Sequence, residues 1–483
     1  MMKASRPEKK SATSSHIQEK EPIAAIATPG GEGGIAVIRV SGRDAIALVQ
    51  TCFRPKARGS NLSEKPSHTV HYGTIYRHHK NIDDVLVTLF HTGKSYTGEE
   101  TAEISCHGGV INTQLVLETL LSAGARSAEP GEFTMRAFLN GRLDLSQAEA
   151  VADLIHARSK KAAESSRQQL DGALGEHIKG FRQEIIDATA MIELELDFIE
   201  EDVEFAKKEE LAELFERLLS EIDRLLDTYE TGRIVKHGVR TVFAGPPNAG
   251  KSTLLNTLMG KERAIVSEIA GTTRDVIDAD WSYDGLLFTL TDTAGLRITE
   301  DRIEAEGVRR SRKAIDEADL VLYLMDLSVK EASHRAEERR AIHELRSAWP
   351  DKPFLLVGTK ADRKELQPAT GTPPPQKTQP DIEVSSITGD GIDALKKMMK
   401  EQVMEAKDLD TSGLLVTSSR HRDALQKTRA HVESALTALK GGVSGDFLSI
   451  DLRAALHELG VITGEITTED LLDSIFSRFC IGK

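Results

Sequence analysis

The spacing of apolar and polar positions divides the chain into stretches with different periods. Between Ile23 and about Asn140, short apolar runs such as Ile35–Val40 and Val85–Phe90 are separated by glycine-rich turns. Such text is typical of strands mixed with short helices. It predicts a small α+β domain over residues 21–140, and we expect the polar residues 1–20 before it to be a disordered tail.

Helical spacing dominates two later stretches, residues 141–235 and 405–483. In the first, Ser146 to Glu149 has the order of a capping box, and apolar residues then recur every three or four positions. In the second, Ser419–Leu439 and Ile450–Leu459 show the same period. Because this second stretch cannot easily build a core alone, we expect it to pack onto the first as one helical domain.

Residues 236–404, between the two helical stretches, alternate strands with helices, which predicts a parallel α/β sheet. The α/β domain would therefore be inserted in the helical domain. Such insertion is tolerated because the ends of a domain often lie close together.

Composition and charge narrow the class of protein. The chain has 483 residues, 39% hydrophobic and 29% charged, and lacks the apolar run of ~18–20 residues that a membrane helix needs. Its three cysteines, Cys52, Cys106 and Cys480, fit neither a disulfide framework nor a zinc site. We expect a cytoplasmic protein without membrane association. A net charge of −14 argues against bulk electrostatic coating of nucleic acid.

Residues 245–252 read Gly-Pro-Pro-Asn-Ala-Gly-Lys-Ser between a predicted strand and a predicted helix, which is the context of a P-loop. Backbone N–H groups of such a loop cradle phosphates. Lys251 can neutralise the β- and γ-phosphates, and Ser252 can offer its hydroxyl to magnesium. The fold class predicted is therefore a multidomain α/β and α+β protein with an inserted Ras-like P-loop domain.

Four further motifs follow in the order expected of a GTPase: residues 267–275, 292–295, 359–362 and 385–387. In the first, we choose Thr273 as the second magnesium ligand. A carboxylate at Asp362 can accept both the N1–H and the 2-amino group of guanine, a donor pair that adenine lacks. Nucleotide contacts are predicted at Asn248, Ala249, Gly250, Lys251, Ser252, Thr253, Ser267, Glu268, Ile269, Ala270, Gly271, Thr272, Thr273, Asp292, Thr293, Ala294, Gly295, Thr359, Lys360, Asp362, Ser385, Ser386 and Ile387.

Two catalytic functions are missing from these motifs. Leu296 stands where many small GTPases carry a glutamine that orients the attacking water, and no arginine finger is evident. Another group must supply both functions.

Almost the whole chain, from Ile23 to Lys483, resembles the MnmE (TrmE) family of tRNA-modifying GTPases. The resemblance includes segments that GTPases in general lack, at residues 26–29, 33–42, 96–99, 106–109, 130–134, 136–145 and 479–483. It implies a potassium-activated GTPase in which K⁺ takes the place of an arginine finger. The ion would be bound by Asn248 and by the carbonyls of Ser267, Ile269 and Thr272. Glu304 would be the catalytic residue that organises water.

The resemblance also implies a folate site in the N-terminal domain, which dimerises in the family. Glu103 matches the carboxylate that reads the pterin ring, and Arg39, Arg142 and Lys483 match the other folate-binding positions. The ligand would be 5-formyltetrahydrofolate or 5,10-methylenetetrahydrofolate. Cys480 is a candidate nucleophile, with a ligand contact or packing as the alternatives.

The implied function is the addition of an aminomethyl-type group, aminomethyl or carboxymethylaminomethyl, to C5 of the tRNA wobble uridine, by a homodimer working with an MnmG (GidA)-type FAD protein. The alternative is a GTP-switched RNA-binding or ribosome-assembly factor without modification chemistry. Thr359 departs from the usual asparagine of the guanine motif. We expect this change to remove an amide that ties the nucleotide loops together.

Overall fold

The computed structural model describes residues 21–57, 61–197, 207–260, 278–292, 312–329, 332–363, 379–407 and 413–483. These residues form two compact units. Unit 1 takes its described residues from Met1–Ile155, Gln169–Lys207 and Gly441–Lys483, and unit 2 takes its own from His156–Gln168 and Lys208–Lys440. The predicted tail at residues 1–20 lies outside the described residues, and the predicted domain boundaries stay predictions.

Unit 1 contains a seven-stranded sheet in the order β3-β4-β5-β6-β2-β1-β7. Neighbouring strands are antiparallel, apart from the parallel pair of β1 and β7. The strands are β1 Ile23–Ile26, β2 Ile35–Ser41, β3 Phe53–Pro55, β4 Thr69–Arg77, β5 Lys80–Phe90, β6 Thr101–His107 and β7 Arg126–Ser127. Both strands predicted from apolar runs, Ile35–Val40 and Val85–Phe90, are present.

One face of this sheet carries the core because its alternate side chains are apolar. Ile38, Val40 and Ile104 are fully buried on it, together with apolar residues of helices α1 and α2. The helices of unit 1 are α1 Ala45–Cys52, α2 Val110–Ser122, α3 Glu132–Leu139, α4 Leu145–His156, α6 Ala173–Asp197, α12 Gly445–Thr463 and α13 Glu469–Phe476. Helix α12 packs along α6.

The helix expected to begin with a capping box at Ser146 begins earlier, so that prediction is wrong by two residues. Asp144 accepts from the backbone N–H of Gln147 at 2.9 Å, and the Gln147 side chain accepts from the N–H of Asp144 at 2.9 Å. These two reciprocal bonds form a capping box between Asp144 and Gln147. Ser146 is fully buried inside the helix instead, and its hydroxyl donates to Asp144.

Unit 2 contains a six-stranded sheet in the order β13-β12-β11-β8-β10-β9. Its pairs are parallel except for the antiparallel hairpin of β9 and β10. The strands are β8 Val239–Ala244, β9 Asp278–Tyr283, β10 Leu286–Asp292, β11 Leu320–Asp326, β12 Phe354–Thr359 and β13 Ile382–Glu383. In a parallel sheet the loops after the strands share one edge, which is where such folds bind ligands.

The named helices of unit 2 are α7 Lys208–His237, α8 Lys251–Leu258, α9 Ala332–Ala348, α10 Ile392–Lys407 and α11 Ser419–Lys440. Helix α5, Lys160–Leu170, belongs to unit 2 up to Gln168. Helix α11 packs along α7, where Arg429 Nε lies 2.6 Å from Asp223 Oδ1. The C-terminal helices α11 and α12 thus pack against earlier helices, as the helical period predicts.

Among the described residues, no helix combines the length and the apolar character that crossing a membrane requires. The predicted fold class, α/β combined with α+β, is confirmed by the two sheets.

Candidate functional site

The predicted P-loop connects β8 to α8. At Gly245 φ is 127°, and a Cβ there would lie 2.4 Å from the carbonyl oxygen of Leu324, so the close approach of β11 requires glycine. Gly250, with φ 90°, and Asn248, with φ 63°, also take left-handed conformations. The loop therefore wraps tightly before the first turn of α8.

Lys251 lies inside this wrap and is 6% exposed. Its Nζ donates to the carbonyls of Gly245 at 2.8 Å and Pro246 at 2.7 Å. The ammonium thus stands at the N-terminus of α8, where the backbone N–H groups of the first turn have no partner within the helix. Ammonium and backbone donors together form a site for the oxygens of a phosphate chain.

The second part of the site follows β12. Lys360 has φ 57°, and its Nζ lies 2.5 Å from Oδ2 of Asp326 at the end of β11. Burial by itself would raise the pKa of Asp326, but hydrogen bonds from Lys360 and Ser328 outweigh it and lower that pKa. The ion pair fixes the loop after β12 to the neighbouring strand.

Asp362 is held by the turn after β13. Ser385, which is fully buried, donates its hydroxyl to Oδ1 of Asp362 at 2.7 Å, and its Oγ accepts from the N–H of Thr388 at 3.2 Å. The N–H of Ala361 donates to the carbonyl of Val384 at 3.1 Å. These bonds orient a carboxylate that is 19% exposed.

A cavity of about 180 Å³ lies between the P-loop and these two loops. Asp362 is the carboxylate on its wall, and the stems of Lys360 and Arg363 flank it. A flat heterocycle with adjacent N–H donors suits this combination of shape and charge. The lining residues are Gly250, Thr253, Thr359, Lys360, Asp362, Arg363, Ser386 and Ile387.

Thr359 lacks the amide of an asparagine, yet its hydroxyl still connects the nucleotide loops. Its hydroxyl lies 2.7 Å from the carbonyl of Ala249 in the P-loop and 3.1 Å from that of Met325. A hydroxyl has one proton to donate, and the shorter distance favours Ala249. Since Thr359 is 3% exposed, this bond is shielded from water.

Part of the predicted nucleotide site lies outside the described residues. This applies to Ser267, Glu268, Ile269, Ala270, Gly271, Thr272, Thr273, Thr293, Ala294, Gly295, Leu296 and Glu304. The backbone of Asp292 ends β10, in register with Phe243 of β8. Asp292 therefore stands at the same edge of the sheet as the P-loop.

The residues predicted to bind folate meet in unit 1. Arg39 on β2 and Glu103 on β6 are opposite each other, and the guanidinium contacts Oε1 of Glu103 at 2.8 and 2.9 Å. The guanidinium also lies over the rings of Tyr96 and Phe133, 5.4 and 5.5 Å from their centroids. Burial and the charge of Arg39 lower the pKa of Lys483, whereas the charge of Glu103 raises it.

One nitrogen of Arg39 is unsatisfied. The Arg39 side chain is only 13% exposed, and its buried Nη1 has no hydrogen-bond partner within the described part of the chain. Buried donors without a partner are rare and costly. The cluster is therefore suited to receive an acceptor from a bound ligand.

Arg142 and Cys480 lie in the same unit. Arg142 Cγ is 3.2 Å from the position a Cβ would take at Gly98, so it borders the loop that carries Tyr96. Cys480 is exposed. Gly482, with φ 99°, lets the chain end approach Ile26, whose carbonyl oxygen would be 2.2 Å from a Cβ at residue 482.

Sequence reasoning missed three residues of these sites. Tyr96 and Phe133 lie in motifs that support the family resemblance, but neither was assigned a contact. Asp326 is the last residue of the apolar strand β11, whose neighbour β12 leads into a predicted nucleotide loop. A carboxylate at the end of such a strand could have been predicted to belong to the site.

A lysine-bearing phosphate loop at the centre of a parallel sheet, next to a cavity with an oriented carboxylate, defines a P-loop protein of the GTPase class. Comparison with known proteins makes this more specific. The family model described as MnmE helical domain matches residues 145–480, and the one described as GTP-binding protein TrmE N-terminus matches residues 22–142. The chain belongs to the MnmE (TrmE) family of tRNA modification GTPases, and its reaction is GTP hydrolysis.

Individual relatives span nearly the whole chain, and each is named tRNA modification GTPase MnmE. The protein of Chlorobaculum tepidum is 45% identical over 470 residues, covering 96% of this chain and 97% of its own. The protein of Salinibacter ruber is 46% identical over 483 aligned positions, which cover 97% of this chain and 100% of that protein. The protein of Cytophaga hutchinsonii is 45% identical over 471 residues, which cover 98% of this chain and 100% of that protein. The predicted family is confirmed.

Proposed function

We propose that this chain is a potassium-activated GTPase of the cytoplasm that takes part in modifying tRNA. With an FAD- and NADH-using MnmG-type protein, it would add an aminomethyl or carboxymethylaminomethyl group to C5 of the wobble uridine. The added carbon would come from a tetrahydrofolate. Family membership over almost the full length favours this function over an assembly factor without modification chemistry.

The unsatisfied Arg39 guanidinium is the observation that carries the folate proposal. Its Nη1 requires an acceptor, which a carbonyl or carboxylate of a reduced folate can supply. Glu103 can accept from the N–H and amino groups of the pterin, and its contacts with Arg39 use Oε1 alone. The half-buried ring of Tyr96 offers flat surface beside the guanidinium, and the fully buried ring of Phe133 packs against it.

Charge complements this arrangement. Arg39, Arg142 and Lys483 provide positive charge for the glutamate tail of the ligand. Cys480 stands three residues before the terminal Lys483 and is exposed. It would contact the ligand or act on it, and the two roles stay open.

The first prediction concerns reduced folate. Titration calorimetry with 5-formyltetrahydrofolate on the full chain is expected to show binding that Glu103→Gln weakens about 10- to 100-fold, since a charged hydrogen bond to a buried donor contributes roughly 1.5–3 kcal/mol. Glu118→Gln is the matched control. It removes another Arg–Glu ion pair of unit 1, between Arg77 on β4 and Glu118 on α2 at 3.4 Å, and is expected to leave the affinity unchanged.

Absence of binding to the native chain would overturn the folate proposal. So would equal affinity for the native chain and the Glu103→Gln variant. Thermal melting of both variants distinguishes lost binding from lost folding, because Glu103 also pairs with Arg39.

The nucleotide roles are proposed as the motifs predict. Lys251 would neutralise the β- and γ-phosphates, Asp362 would read guanine, and Ser252 with Thr273 would hold magnesium, which polarises the phosphoryl oxygens when bound. The exposed Asn248, at the mouth of the P-loop, would bind potassium through its side-chain oxygen, with the carbonyls of Ser267, Ile269 and Thr272. Glu304 would organise water.

The second prediction tests the potassium site. Asn248→Ala is expected to abolish stimulation of GTP hydrolysis by KCl relative to NaCl, while the affinity for GDP stays close to that of the native chain. Because Asn248 has φ 63°, alanine adds backbone strain there. Asn248→Gly removes the same oxygen without strain and should behave alike. Stimulation that survives in the glycine variant would contradict the assignment.

Homodimerisation through unit 1 is also proposed. Val70, Tyr72 and Leu86 are 58%, 53% and 45% exposed on one face of β4 and β5, where Tyr72 is directly opposite Leu86. Exposed apolar patches of this kind often mark a protein interface. A second copy of the chain would cover it.

A further inference from the structure

The segment from His156 to Gln168 lies between helices of unit 1 in sequence, yet it packs with unit 2. The segment contacts the β9–β10 hairpin. Arg158 pairs through Nη1 with Oδ2 of Asp280 on β9. The other oxygen of Asp280 accepts from the hydroxyl of Thr289, its cross-strand partner on β10, at 3.1 Å. One carboxylate thus joins the segment to both strands.

The tip of the hairpin is held by the same segment. The stem of Lys161 lies over Gly285, with Cγ 3.3 Å from the position a Cβ would take there. The adjacent Asp284 pairs with Lys400 of α10, and hydrogen bonding and charge from Lys400, with a smaller effect of Lys161, lower the pKa of Asp284. Two lysines therefore fix the turn while Arg158 fixes the middle of the hairpin.

The segment itself is well anchored. Ser159 is 8% exposed, and its hydroxyl accepts from the N–H of Ala162 at 3.1 Å at the start of α5. Ala162 is 5% exposed. Arg158 therefore projects from an ordered helix start and not from a loose loop.

The hairpin in turn sets the position of the end of β10, which lies beside the strand that leads into the P-loop. Strand β10 runs parallel to β8, and Asp292 at its end is in register with Phe243, two residues before Gly245. The pair of Thr289 with Asp280 lies three residues from Asp292 on the same strand. A shift of the hairpin would move the end of β10 along the P-loop strand.

We propose that Arg158 is a positioning residue for GTP hydrolysis, acting through Asp280 and β10 on the edge of the sheet where Asp292 stands. The proposal rests on the GTPase activity of the chain and not on folate or potassium. Catalytic geometry is sensitive to small displacements, whereas binding of the base and phosphates uses the P-loop and the loop after β12. The expected signature is thus a fall in kcat with little change in nucleotide affinity.

The experiment compares Arg158→Gln, Asp280→Asn and the double variant in steady-state GTP hydrolysis. Arg158 and Asp280 are partly exposed, at 40% and 19%. Because a partly exposed ion pair contributes little free energy, its removal is expected to lower kcat about three- to five-fold. KM and the affinity for a fluorescent GDP should stay within about two-fold, and the double variant should be no worse than either single variant.

Two further variants separate positioning from general damage. Arg158→Lys keeps the charge and is expected to recover most of the rate. Arg429→Gln breaks an equivalent Arg–Asp pair in unit 2, with Asp223 at 2.6 Å, and is expected to leave kcat unchanged. Rates are expressed per site that binds GDP, so unfolded protein does not contribute.

An unchanged kcat in Arg158→Gln and Asp280→Asn would overturn the proposal. Additive losses in the double variant would also overturn it, because the two residues would then not act as one unit. An equal loss in Arg429→Gln would overturn it as well, because the loss would then not be specific to the Arg158–Asp280 pair.

Discussion

Replacing Asp362 with asparagine is expected to change the nucleotide preference of this chain from GTP to xanthosine triphosphate. In the structure, Ser385 orients the Asp362 carboxylate at the wall of a base-sized cavity. A carboxylate accepts the two adjacent donors of guanine, and an amide offers one acceptor and one donor instead. Xanthine carries a carbonyl where guanine carries the amino group, so it matches the amide.

The size of the effect follows from two charged hydrogen bonds in a shielded site. Each contributes roughly 1.5–3 kcal/mol, so GTP affinity should fall about 100-fold or more. Competition of both triphosphates against a fluorescent GDP measures this. Asp390→Asn is the matched control, since Asp390 lies in the same turn but bonds to Thr388. A variant at residue 362 that still prefers GTP would refute the assignment of the base pocket.

Lys251→Ala is expected to lower kcat for GTP hydrolysis about 100-fold or more. The ammonium is buried within the P-loop and bonds to the carbonyls of Gly245 and Pro246. It is placed where the phosphate chain would lie, and removing one charge-stabilising donor from such a site typically costs about 100- to 1,000-fold in rate. The lysine that lines the neighbouring base cavity, Lys360, is paired with Asp326.

Single-turnover hydrolysis with saturating GTP measures the loss without interference from product release. Lys396→Ala serves as the control, because Lys396 pairs with Asp393 on α10 and takes no part in the P-loop. A rate for Lys251→Ala within a few-fold of the native chain would show that another group stabilises the phosphates.

Local patterns were enough to predict the elements that carry the nucleotide site. The strand before Gly245, the helix after Lys251 and the strand before Thr359 each follow from apolar runs bounded by glycine or polar loops. These patterns depend on neighbouring residues, so they can be read directly. Asp362 and Lys251 followed from motif spacing; the structure places Asp362 on the cavity wall and Lys251 inside the P-loop.

Contacts between distant residues could not be predicted in the same way. Arg39 and Glu103 are opposite each other only because β2 pairs with β6 in one particular register. The threonine at position 359 was expected to remove an amide that ties the loops, and the sequence did not show that its hydroxyl reaches Ala249, 110 residues earlier. The capping box expected at Ser146 and Glu149 lies two residues earlier, at Asp144 and Gln147, and the helix therefore starts at Leu145.

Isotope labelling of the folate carbon shows whether this chain uses it to modify tRNA. The purified chain is incubated with an MnmG-type flavoprotein, FAD, NADH, GTP, tRNA and methylenetetrahydrofolate labelled with ¹³C, with glycine and ammonium in parallel reactions. Mass spectrometry of the digested tRNA is expected to show the labelled carbon in a modified uridine, and Lys251→Ala should prevent its appearance. Uridine that stays unlabelled in both reactions while the native chain hydrolyses GTP would contradict the account.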